Sequence, residues 1–306
     1  MPVAIDLFAG LGGFTQAGRM SGLDVVWAAN HWPVAVDYHA ANHPEVTHVC
    51  QDLHQANWQQ VPQHDVLLAS PACQGHTNAR GKEQAHHDDT RSTAWAVVAC
   101  AEAHRPAICI IENVPEFFTR WALYPAWEMA MQALGYAVSP HVVDCADLGV
   151  PQHRERVFII CTRSRKPITL TLPKHPHIPV NKIIEWDEHR WSPVETPKRA
   201  AATLARVARG RCEYGNRFIM PYYKNGSGLT GRCLGRPIGT ITTVDRWAIV
   251  DGDRMRMFQP SEYRKAMTFP DTYRLPPVKR HAVKLLGNAV PPVAAAEIIR
   301  ATLEAA

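Results

Sequence analysis

The sequence has eight cysteines, but no two of them are spaced as C-x-x-C. It also lacks a run of 18 or more apolar residues, an internal repeat, a low-complexity tract and the basic start of a signal peptide. These absences argue against a zinc cluster, a disulfide framework, a membrane span and secretion. We therefore expect a cytoplasmic protein with reduced thiols and no membrane partner. Its 306 residues, 46% of them hydrophobic, suffice for one large core or two domains.

Acidic and basic residues are unevenly distributed, although the net charge is only +5. Residues 1–162 carry 8 Lys and Arg against 16 Asp and Glu, whereas residues 163–236 carry 15 against 5. Residues 237–306 carry 10 against 7. A basic middle segment in an otherwise acidic chain is typical of a module that faces a polyanion. Nucleic acid is favoured over a merely solvated basic surface.

Short apolar runs alternate with helical segments through the first half of the chain. Strands are predicted at Val3–Phe8, Val25–Ala29, Thr47–Cys50, Val66–Ala69, Ala107–Ile111, Val138–Val143 and Val157–Cys161. Helices are predicted at Phe14–Met20, Val34–Ala41, Thr93–Ala103 and Ala126–Leu134. Continuous apolar runs are typical of buried parallel strands. The alternating order predicts an α/β fold with a doubly wound sheet.

The pattern changes after Cys161. Prolines cluster between residues 167 and 197, and regular periodicity fades. These features predict a smaller, irregular second domain or a long insertion. Order returns at Pro237–Thr243, and Val293–Leu303 is predicted to form an amphipathic C-terminal helix.

Gly10, Gly12 and Gly13 lie between the first predicted strand and the first predicted helix. Glycine allows a tight turn and a close approach to a ligand, and a helix N-terminus favours a carboxylate or phosphate. A nicotinamide site would normally have an acidic residue at the end of the second strand, where this chain has Asn30-His31-Trp32. A nicotinamide oxidoreductase is therefore disfavoured, whereas a nucleoside ligand is not.

Cys73 and Glu112 each follow a predicted strand. Cys73 lies in the turn Ser70–Gly75, and Glu112 directly follows Ala107–Ile111. Ligands bind at the carboxyl ends of the strands in open α/β sheets, so a thiol and a carboxyl would reach one rim. Together they suit covalent attack on a ring that must also be protonated. Taken singly, they could equally be a buried thiol and an ordinary carboxylate.

Arg154 and Arg156 lie in Gln152–Arg156, next to the strand Val157–Cys161. Side chains alternate along an extended segment, so residues 152, 154 and 156 are expected to share one face. Their positive charge could favour the thiolate form of Cys73. The alternative is a solvated polar edge with an internal ion pair.

The pair of histidines in His86–Asp89 raises the question of a metal site. Adjacent histidines point apart in most backbones, and no spaced set of partners follows them. We predict no metal. The polar segment Gly75–Arg91 is instead interpreted as a mobile lid.

Motifs along nearly the whole chain resemble those of the bacterial DNA (cytosine-5)-methyltransferases. In chain order they are Asp6–Gly13, Ser70–Gln74, Glu112–Val114, Gln152–Arg156, Arg236–Thr243 and Gly287–Pro292. The resemblance implies an S-adenosylmethionine (AdoMet) methyltransferase sheet with a smaller irregular target-recognition domain. Residues 1–187 and 273–306 would form the catalytic domain, and residues 188–272 would form the target-recognition domain and hinge.

The resemblance also implies roles for individual residues. The catalytic residues would be Cys73 as nucleophile, Glu112 as the acid at cytosine N3, Arg156 at the cytosine O2, and Arg154 beside it. The cofactor residues would be Phe8, Gly10, Gly12, His31, Trp32, Asp52, Pro71, Asn288 and Val290. Thr77 and Thr93 would flank the mobile loop and contact DNA or substrate.

Two positions depart from the family pattern. Ala72 stands where the family usually has proline, and His31 stands where it usually has a glutamate for the cofactor ribose. A neutral imidazole offers one donor and one acceptor instead of two accepting oxygens.

The implied activity is methyl transfer from AdoMet to C5 of cytosine in a specific double-stranded DNA sequence, with the base flipped out. A monomer is expected, and the sequence leaves open whether it acts alone or with a cognate restriction endonuclease. An RNA methyltransferase is disfavoured because the Cys-Phe-Thr motif of the tRNA-methylating branch is missing. A silent DNA-binding protein is disfavoured because Cys73, Glu112 and Arg156 are all present.

Overall fold

The computed structural model describes residues 1–72, 93–164, 166–222 and 231–306. Cys73, Thr77, the predicted lid Gly75–Arg91 and the segment His86–Asp89 lie outside these ranges. The chain divides into two compact units. The first unit is Met1–Gly149, Arg154–His175 and Ala289–Ala306, and the second unit is Val150–His153 and Pro176–Asn288. The assignment of roles to residues 1–187, 188–272 and 273–306 stays a prediction.

The first unit is built on a sheet whose strands lie close to the predicted ones. They are β1 (Val3–Leu7), β2 (Asp24–Asn30), β3 (Thr47–Cys50), β4 (Val66–Ala69), β5 (Ile108–Asn113), β6 (Ala137–Asp144) and β7 (Glu155–Thr162). Their spatial order is β3-β2-β1-β4-β5-β7-β6. Within Met1–Gly149 the first unit also contains the helices α1 (Gly13–Met20), α2 (Pro33–Asn42), α3 (Ala94–His104), α4 (Glu116–Thr119) and α5 (Tyr124–Ala133).

The first five strands in this order, β3, β2, β1, β4 and β5, are all parallel to their neighbours. Strand β7 is antiparallel to both β5 and β6. The apolar pattern of Val157–Cys161 did not reveal this reversal, because a strand buried on both faces has the same composition in either direction. The connection Cys145–Arg154 explains it. That connection is too short for the crossover of about a dozen residues that parallel neighbours require.

Apolar side chains cover both faces of the sheet. All residues of β5 are buried. On one face of the sheet, the core includes a group of aromatic side chains from α4, α5 and the turn between them, namely Phe117, Trp121, Tyr124 and Trp127. The Trp127 indole donates a hydrogen bond to the Ala94 carbonyl at 3.0 Å. This bond fixes α5 against the start of α3, which is the helix that follows the segment containing Cys73.

The second unit contains regular structure that the sequence pattern did not reveal. It has helices α6 (Ala201–Tyr214), α7 (Pro260–Ala266) and α8 (Lys279–Asn288). Strands β8 (Ser192–Pro193), β9 (Arg217–Pro221), β10 (Trp247–Asp251) and β11 (Arg254–Met257) form an antiparallel sheet in the order β8-β11-β10-β9. Helix α6 packs closely on β9, because a Cβ at Gly210 would lie 2.3 Å from the Phe218 ring.

The final helix, α9 (Pro292–Ala305), returns to the first unit and packs against α1. The stretch Lys279–Ala305 is long and apolar enough to cross a membrane by length and composition alone. However, 78% of its most apolar window is buried inside the protein. A core helix of a water-soluble protein meets the same criterion, so this stretch is weak support for a membrane span.

Three histidines cluster where α2 meets β3, with His39 and His43 buried and His48 half-buried. The His39 ring lies 5.1 Å from the His43 ring and 4.8 Å from the His48 ring, measured between centroids. Burial lowers the pKa of His39 well below its usual value and the pKa of His43 to about 4, and it also lowers the pKa of His48. The three rings are therefore neutral at neutral pH. Protonation would place like charges close together, next to the Arg19 guanidinium, which lies 3.4 Å from His43 Nδ1, and the Glu45 carboxylate, which lies 3.7 Å from the same atom.

We expect this cluster to make the fold sensitive to acid. A histidine whose pKa is depressed by folding stabilises the protein above pH 6.5, and that stability is lost as the pH falls towards the folded pKa. When the pH is lowered from 8 to 5, the unfolding free energy of wild type should fall. That of His39→Leu should fall by roughly 2 kcal/mol less. Urea denaturation at both pH values measures this. His54→Leu, at an exposed position, is the matched control, and an equal acid loss in His39→Leu and wild type would contradict the expectation.

Candidate active site

Glu112 is the acid at the end of β5, and it is buried beside two arginines. The Arg156 Nε lies 2.9 Å from the Glu112 Oε1, and both side chains are almost entirely shielded from solvent. Burial raises the pKa of Glu112, although Arg156 and Arg154 both act to lower it. Desolvation is the larger effect, because a carboxylate loses more hydration here than one guanidinium replaces. The result is an aligned carboxyl that accepts a proton more readily than an ordinary glutamate.

Arg154 is held in the same region by both its main chain and its side chain. Its guanidinium donates to the Ala289 carbonyl at 3.0 Å, and its main-chain N–H donates to the Asp144 carboxylate at 2.9 Å. The Cys145 N–H donates to the Arg154 carbonyl at 3.0 Å. A buried arginine fixed in this way adds a stationary positive charge near Glu112. Gln152, by contrast, belongs to the second unit, where its side chain accepts from the Ile241 N–H at 2.8 Å.

The backbone that leads to Cys73 is anchored beside Glu112. The Ser70 N–H donates to the Leu7 carbonyl at 3.1 Å, and the Asn113 side chain donates to the carbonyl of buried Pro71 at 3.1 Å. The Ala72 N–H donates to the Thr93 hydroxyl at 3.1 Å. The residue before Cys73 is therefore tied to Thr93, which is the first described residue after the gap. Cys73 itself lies outside the described residues.

The turn after β1 adopts backbone conformations that favour glycine. Gly10 and Gly12 have φ angles of 55° and 94°, and Phe8 also has a positive φ of 59°. A Cβ at Gly13 would lie 2.1 Å from the Val290 carbonyl oxygen, so only glycine fits there. The turn thus packs against the segment that precedes α9. Such a cradle at a helix N-terminus suits a nucleoside with a carboxylate.

Asp6 is fully buried in β1 below this turn. Its Oδ2 accepts hydrogen bonds from the Thr15 N–H at 3.1 Å and the Thr15 hydroxyl at 2.9 Å. Its Oδ1 has no hydrogen-bond partner within the described part of the chain. Burial raises the pKa of Asp6 to about 7. An orphaned carboxyl oxygen next to the glycine turn fits a site for a polar or cationic ligand group.

The remaining predicted cofactor residues follow β2 and β3, which neighbour β1 in the sheet. The Trp32 N–H donates to the Asn30 side chain at 2.9 Å, and His31 is exposed. Asp52 is also exposed, and its carboxylate accepts from the His54 N–H at 3.0 Å. Asn288 is the last residue of α8, in the second unit. Apart from Asn288, the predicted cofactor residues therefore belong to the first unit.

Sequence reasoning missed Asp6, Thr15, Asn113 and Asp144, which support this site. Asp6 carried a usable signal, because an acidic residue inside an apolar strand is seldom buried without a reason. The hydrogen bonds of Asn113 and Asp144 connect residues distant in sequence, so no local pattern marked them.

One group of side chains in the described residues has a spacing suitable for a metal ion, namely Glu185, Glu188 and His189 in the second unit. Glu185 is already engaged by the Lys265 ammonium at 2.7 Å, and it also accepts hydrogen bonds from Ser261 and His189. Lys265, Ser261 and His189 lower the pKa of Glu185 to about 2 despite its partial burial. The group is therefore accounted for as a polar cluster that stabilises the unit.

The model of the C-5 cytosine-specific DNA methylase family matches residues 3–202 and 181–304. The chain is 28% identical to the Type II methyltransferase M.HhaI of Haemophilus parahaemolyticus, covering 94% of this chain and 89% of that protein. It is also 28% identical to the Type II methyltransferase M1.HphI of the same species, covering 98% of this chain and 86% of that protein.

Solved structures show the same fold. A protein described as a prophage-encoded DNA modification methyltransferase from E. coli superposes with a TM-score of 0.73 and 18% identity, covering 100% of this chain and 99% of that one. A DNMT2 mutant from Spodoptera frugiperda gives a TM-score of 0.72 and 17% identity, covering 99% and 100%. At such low identity the likeness concerns the fold alone.

Asp6 generates a stability prediction. Because folding raises its pKa from 3.8 to about 7, the unfolding free energy should fall as the pH rises from 4 through 7. Asp6→Asn removes this titration and should flatten the profile, with a difference of roughly 2.5 kcal/mol between pH 5 and pH 8. Denaturant titrations at pH 5 and pH 8 measure it, with the exposed Asp24→Asn as control. A variant profile as steep as that of wild type would show that Asp6 does not titrate as described.

Proposed function

Because the chain belongs to the C-5 cytosine-specific DNA methylase family and is a DNA (cytosine-5-)-methyltransferase, we propose that it acts through a covalent Cys73–cytosine intermediate. The observation that carries this proposal is the buried pair of Glu112 and Arg156, 2.9 Å apart, next to the anchored backbone that precedes Cys73. The substrate is DNA, and we infer from the family resemblance that the enzyme acts on a specific duplex sequence.

C5 of cytosine is too weak a nucleophile to take a methyl group directly. In the proposed step the Cys73 thiolate adds to C6, and the electrons of the C5–C6 double bond make C5 nucleophilic. Glu112 donates a proton to N3 or hydrogen-bonds it as charge develops, which suits its raised pKa. Once C5 is methylated, its proton leaves to a base, the C6–sulfur bond breaks, and N3 returns its proton to Glu112. The thiolate of Cys73 is thereby restored.

Arg156 positions the acid in this scheme. Its Nε holds one oxygen of Glu112, and we infer that the other oxygen contacts the ring. We infer that the rest of the guanidinium contacts the cytosine O2, with Arg154 as a fixed second charge. Placing sulfur, ring and methyl donor in line is mainly a problem of orientation, and orientation can account for a large part of the rate.

The proposed cofactor is AdoMet, which supplies an electrophilic methyl group on a sulfonium when bound. The glycine turn, the orphaned Asp6 oxygen and the Val290 segment fit such a ligand. We infer that Phe8, Gly10, Gly12, Pro71 and Val290 line its site. His31, Trp32 and Asp52 are proposed at the nucleoside end, because they follow β2 and β3, and the cofactor role of Asn288 stays a prediction.

The target base must leave the duplex before this chemistry can occur, as in other enzymes that act on bases. We propose that residues 188–272 recognise the sequence and that the basic segment 163–236 binds phosphates. Thr93, whose hydroxyl accepts from the Ala72 N–H, is proposed to border the flipped base. A monomeric state, a cognate restriction endonuclease and a cytoplasmic location remain predictions.

The covalent step predicts a trapped adduct. Cys73→Ala should abolish methyl transfer while duplex binding survives, because sulfur is needed for addition but not for recognition. Duplex DNA with 5-fluorocytosine at the target should form a lasting adduct with wild type, since fluorine cannot leave as a cation. Denaturing electrophoresis and labelled AdoMet measure both. Cys212→Ala, at an exposed thiol of the second unit, is the control, and undiminished turnover by Cys73→Ala would refute the mechanism.

The same assay with tRNA in place of duplex DNA separates an RNA substrate from a DNA substrate. Transfer of label to duplex DNA alone is expected. Transfer to tRNA alone would contradict the proposed substrate even if Cys73 were essential.

The role of Glu112 predicts both a loss of rate and a change in pH dependence. Glu112→Gln should lower kcat by about 10²- to 10⁴-fold, because an amide cannot donate the proton. A carboxyl with a raised pKa keeps its proton to higher pH, and wild-type kcat should fall as that proton is lost. This decline should be missing in the variant. Single-turnover rates from pH 6 to 9 test it, with the exposed Glu102→Gln as control, and a near-normal rate would exclude the proposed acid.

A further inference from the structure

Many of the fixed cationic side chains in the second unit are neutralised by a carboxylate. The pairs are Arg211 with Asp253 at 2.8 Å, Arg217 and Arg254 with Asp251 at 2.7 Å each, Arg256 with Glu262 at 2.7 Å, Lys265 with Glu185 at 2.7 Å, Arg264 with Asp271 at 2.9 Å, and Lys279 with Asp245 at 2.8 Å. These residues are poor candidates for binding an anion, because a phosphate would have to compete with an existing partner.

Two arginines around Tyr222 differ from this pattern. The Arg206 guanidinium lies 5.0 Å from the centre of the Tyr222 ring, and it donates to the Pro221 carbonyl at 3.2 Å and the Ala202 carbonyl at 3.3 Å. The Arg246 guanidinium donates to the Tyr222 carbonyl at 3.3 Å. Neither arginine forms an ion pair with any carboxylate among residues 1–72, 93–164, 166–222 and 231–306.

The nearest acidic residue in the sequence, Asp245, is already occupied. It accepts from the Tyr263 hydroxyl at 2.7 Å and pairs with the Lys279 ammonium at 2.8 Å. It therefore does not neutralise Arg246. Two positive charges therefore lie next to Tyr222, that of Arg206 over its ring and that of Arg246 at its main-chain carbonyl, and contacts to neutral groups hold both in place.

We propose that Arg206 and Arg246 bind phosphate groups of the duplex DNA substrate. This inference rests on the proposed role of the second unit in DNA recognition. An arginine has five N–H donors, and each of these two uses only one or two of them on main-chain carbonyls. Within the described part of the chain the remaining donors pair with no carboxylate, and the guanidinium groups are already ordered, so little conformational entropy is lost on binding.

The same contacts favour phosphates over bases as the ligand. A base edge is read by a guanidinium that reaches into a groove with two parallel donors free. Arg206 and Arg246 are instead fastened along the end of β9, with their charge fixed close to the protein surface. Phosphate contacts of this kind position DNA without carrying sequence information.

The test is the salt dependence of duplex binding. Each phosphate contact contributes about 0.9 to the slope of log K against log salt concentration. Arg206→Ala and Arg246→Ala should each reduce the slope by about 0.9, and they should weaken binding equally on target and unrelated duplexes. Arg206→Lys keeps the charge and should keep most of the slope, which separates loss of charge from a folding defect. Fluorescence anisotropy with labelled duplexes at 50 to 300 mM salt measures all variants.

Arg300→Ala is the matched control, because Arg300 is paired with Glu297 at 2.8 Å and lies outside the segments proposed to bind DNA. Its slope should equal that of wild type. A wild-type slope in both Arg206→Ala and Arg246→Ala would overturn the inference. An altered preference for one base pair at an unchanged slope would also overturn it, because the arginines would then read bases. If wild type neither binds nor methylates duplex DNA, the proposed function fails instead.

Discussion

The proposed chemistry depends on how the buried carboxyl of Glu112 is held against the Arg156 guanidinium. Burial alone would raise the pKa of this carboxyl and leave it free to rotate, whereas a guanidinium alone would hold it ionised. The two effects oppose each other at one side chain. The carboxyl is therefore both oriented and able to carry a proton. Removing one partner of such a buried pair leaves an uncompensated group, so the pair behaves as a unit.

The strands around this pair are arranged to support it. Strand β7 runs antiparallel to β5, so Arg156 at its start lies near Glu112 at the end of β5. A parallel β7 would have placed its first residues at the opposite edge of the sheet. The short connection from β6, fixed by hydrogen bonds between Asp144, Cys145 and Arg154, imposes that direction. The local connection thus determines which charges meet the acid.

The glycine turn shows a similar link between distant parts of the chain. Gly13 has no side chain because the Val290 carbonyl occupies the space that a Cβ would fill. The first and last motifs of the chain are therefore in direct contact within the first unit. Asp6 lies below this contact with one oxygen lacking a partner in the described residues, which is a costly arrangement unless a ligand group or a proton occupies it.

The sequence by itself determined which strands and helices follow one another along the chain, because apolar periodicity and turn residues are local properties. It also contained the residues of the motifs. Strands β9 to β11 escaped prediction because they are short, and helix α6 because its apolar pattern is weak and its packing, as at Gly210 against Phe218, involves separate segments. Only the tertiary structure decided that β7 is antiparallel, that Asn113 anchors Pro71, and that Arg206 and Arg246 lack the carboxylate partners that Arg211 and Arg217 have. Such facts depend on distances between residues far apart in the chain, and no pattern of neighbouring residues records those distances.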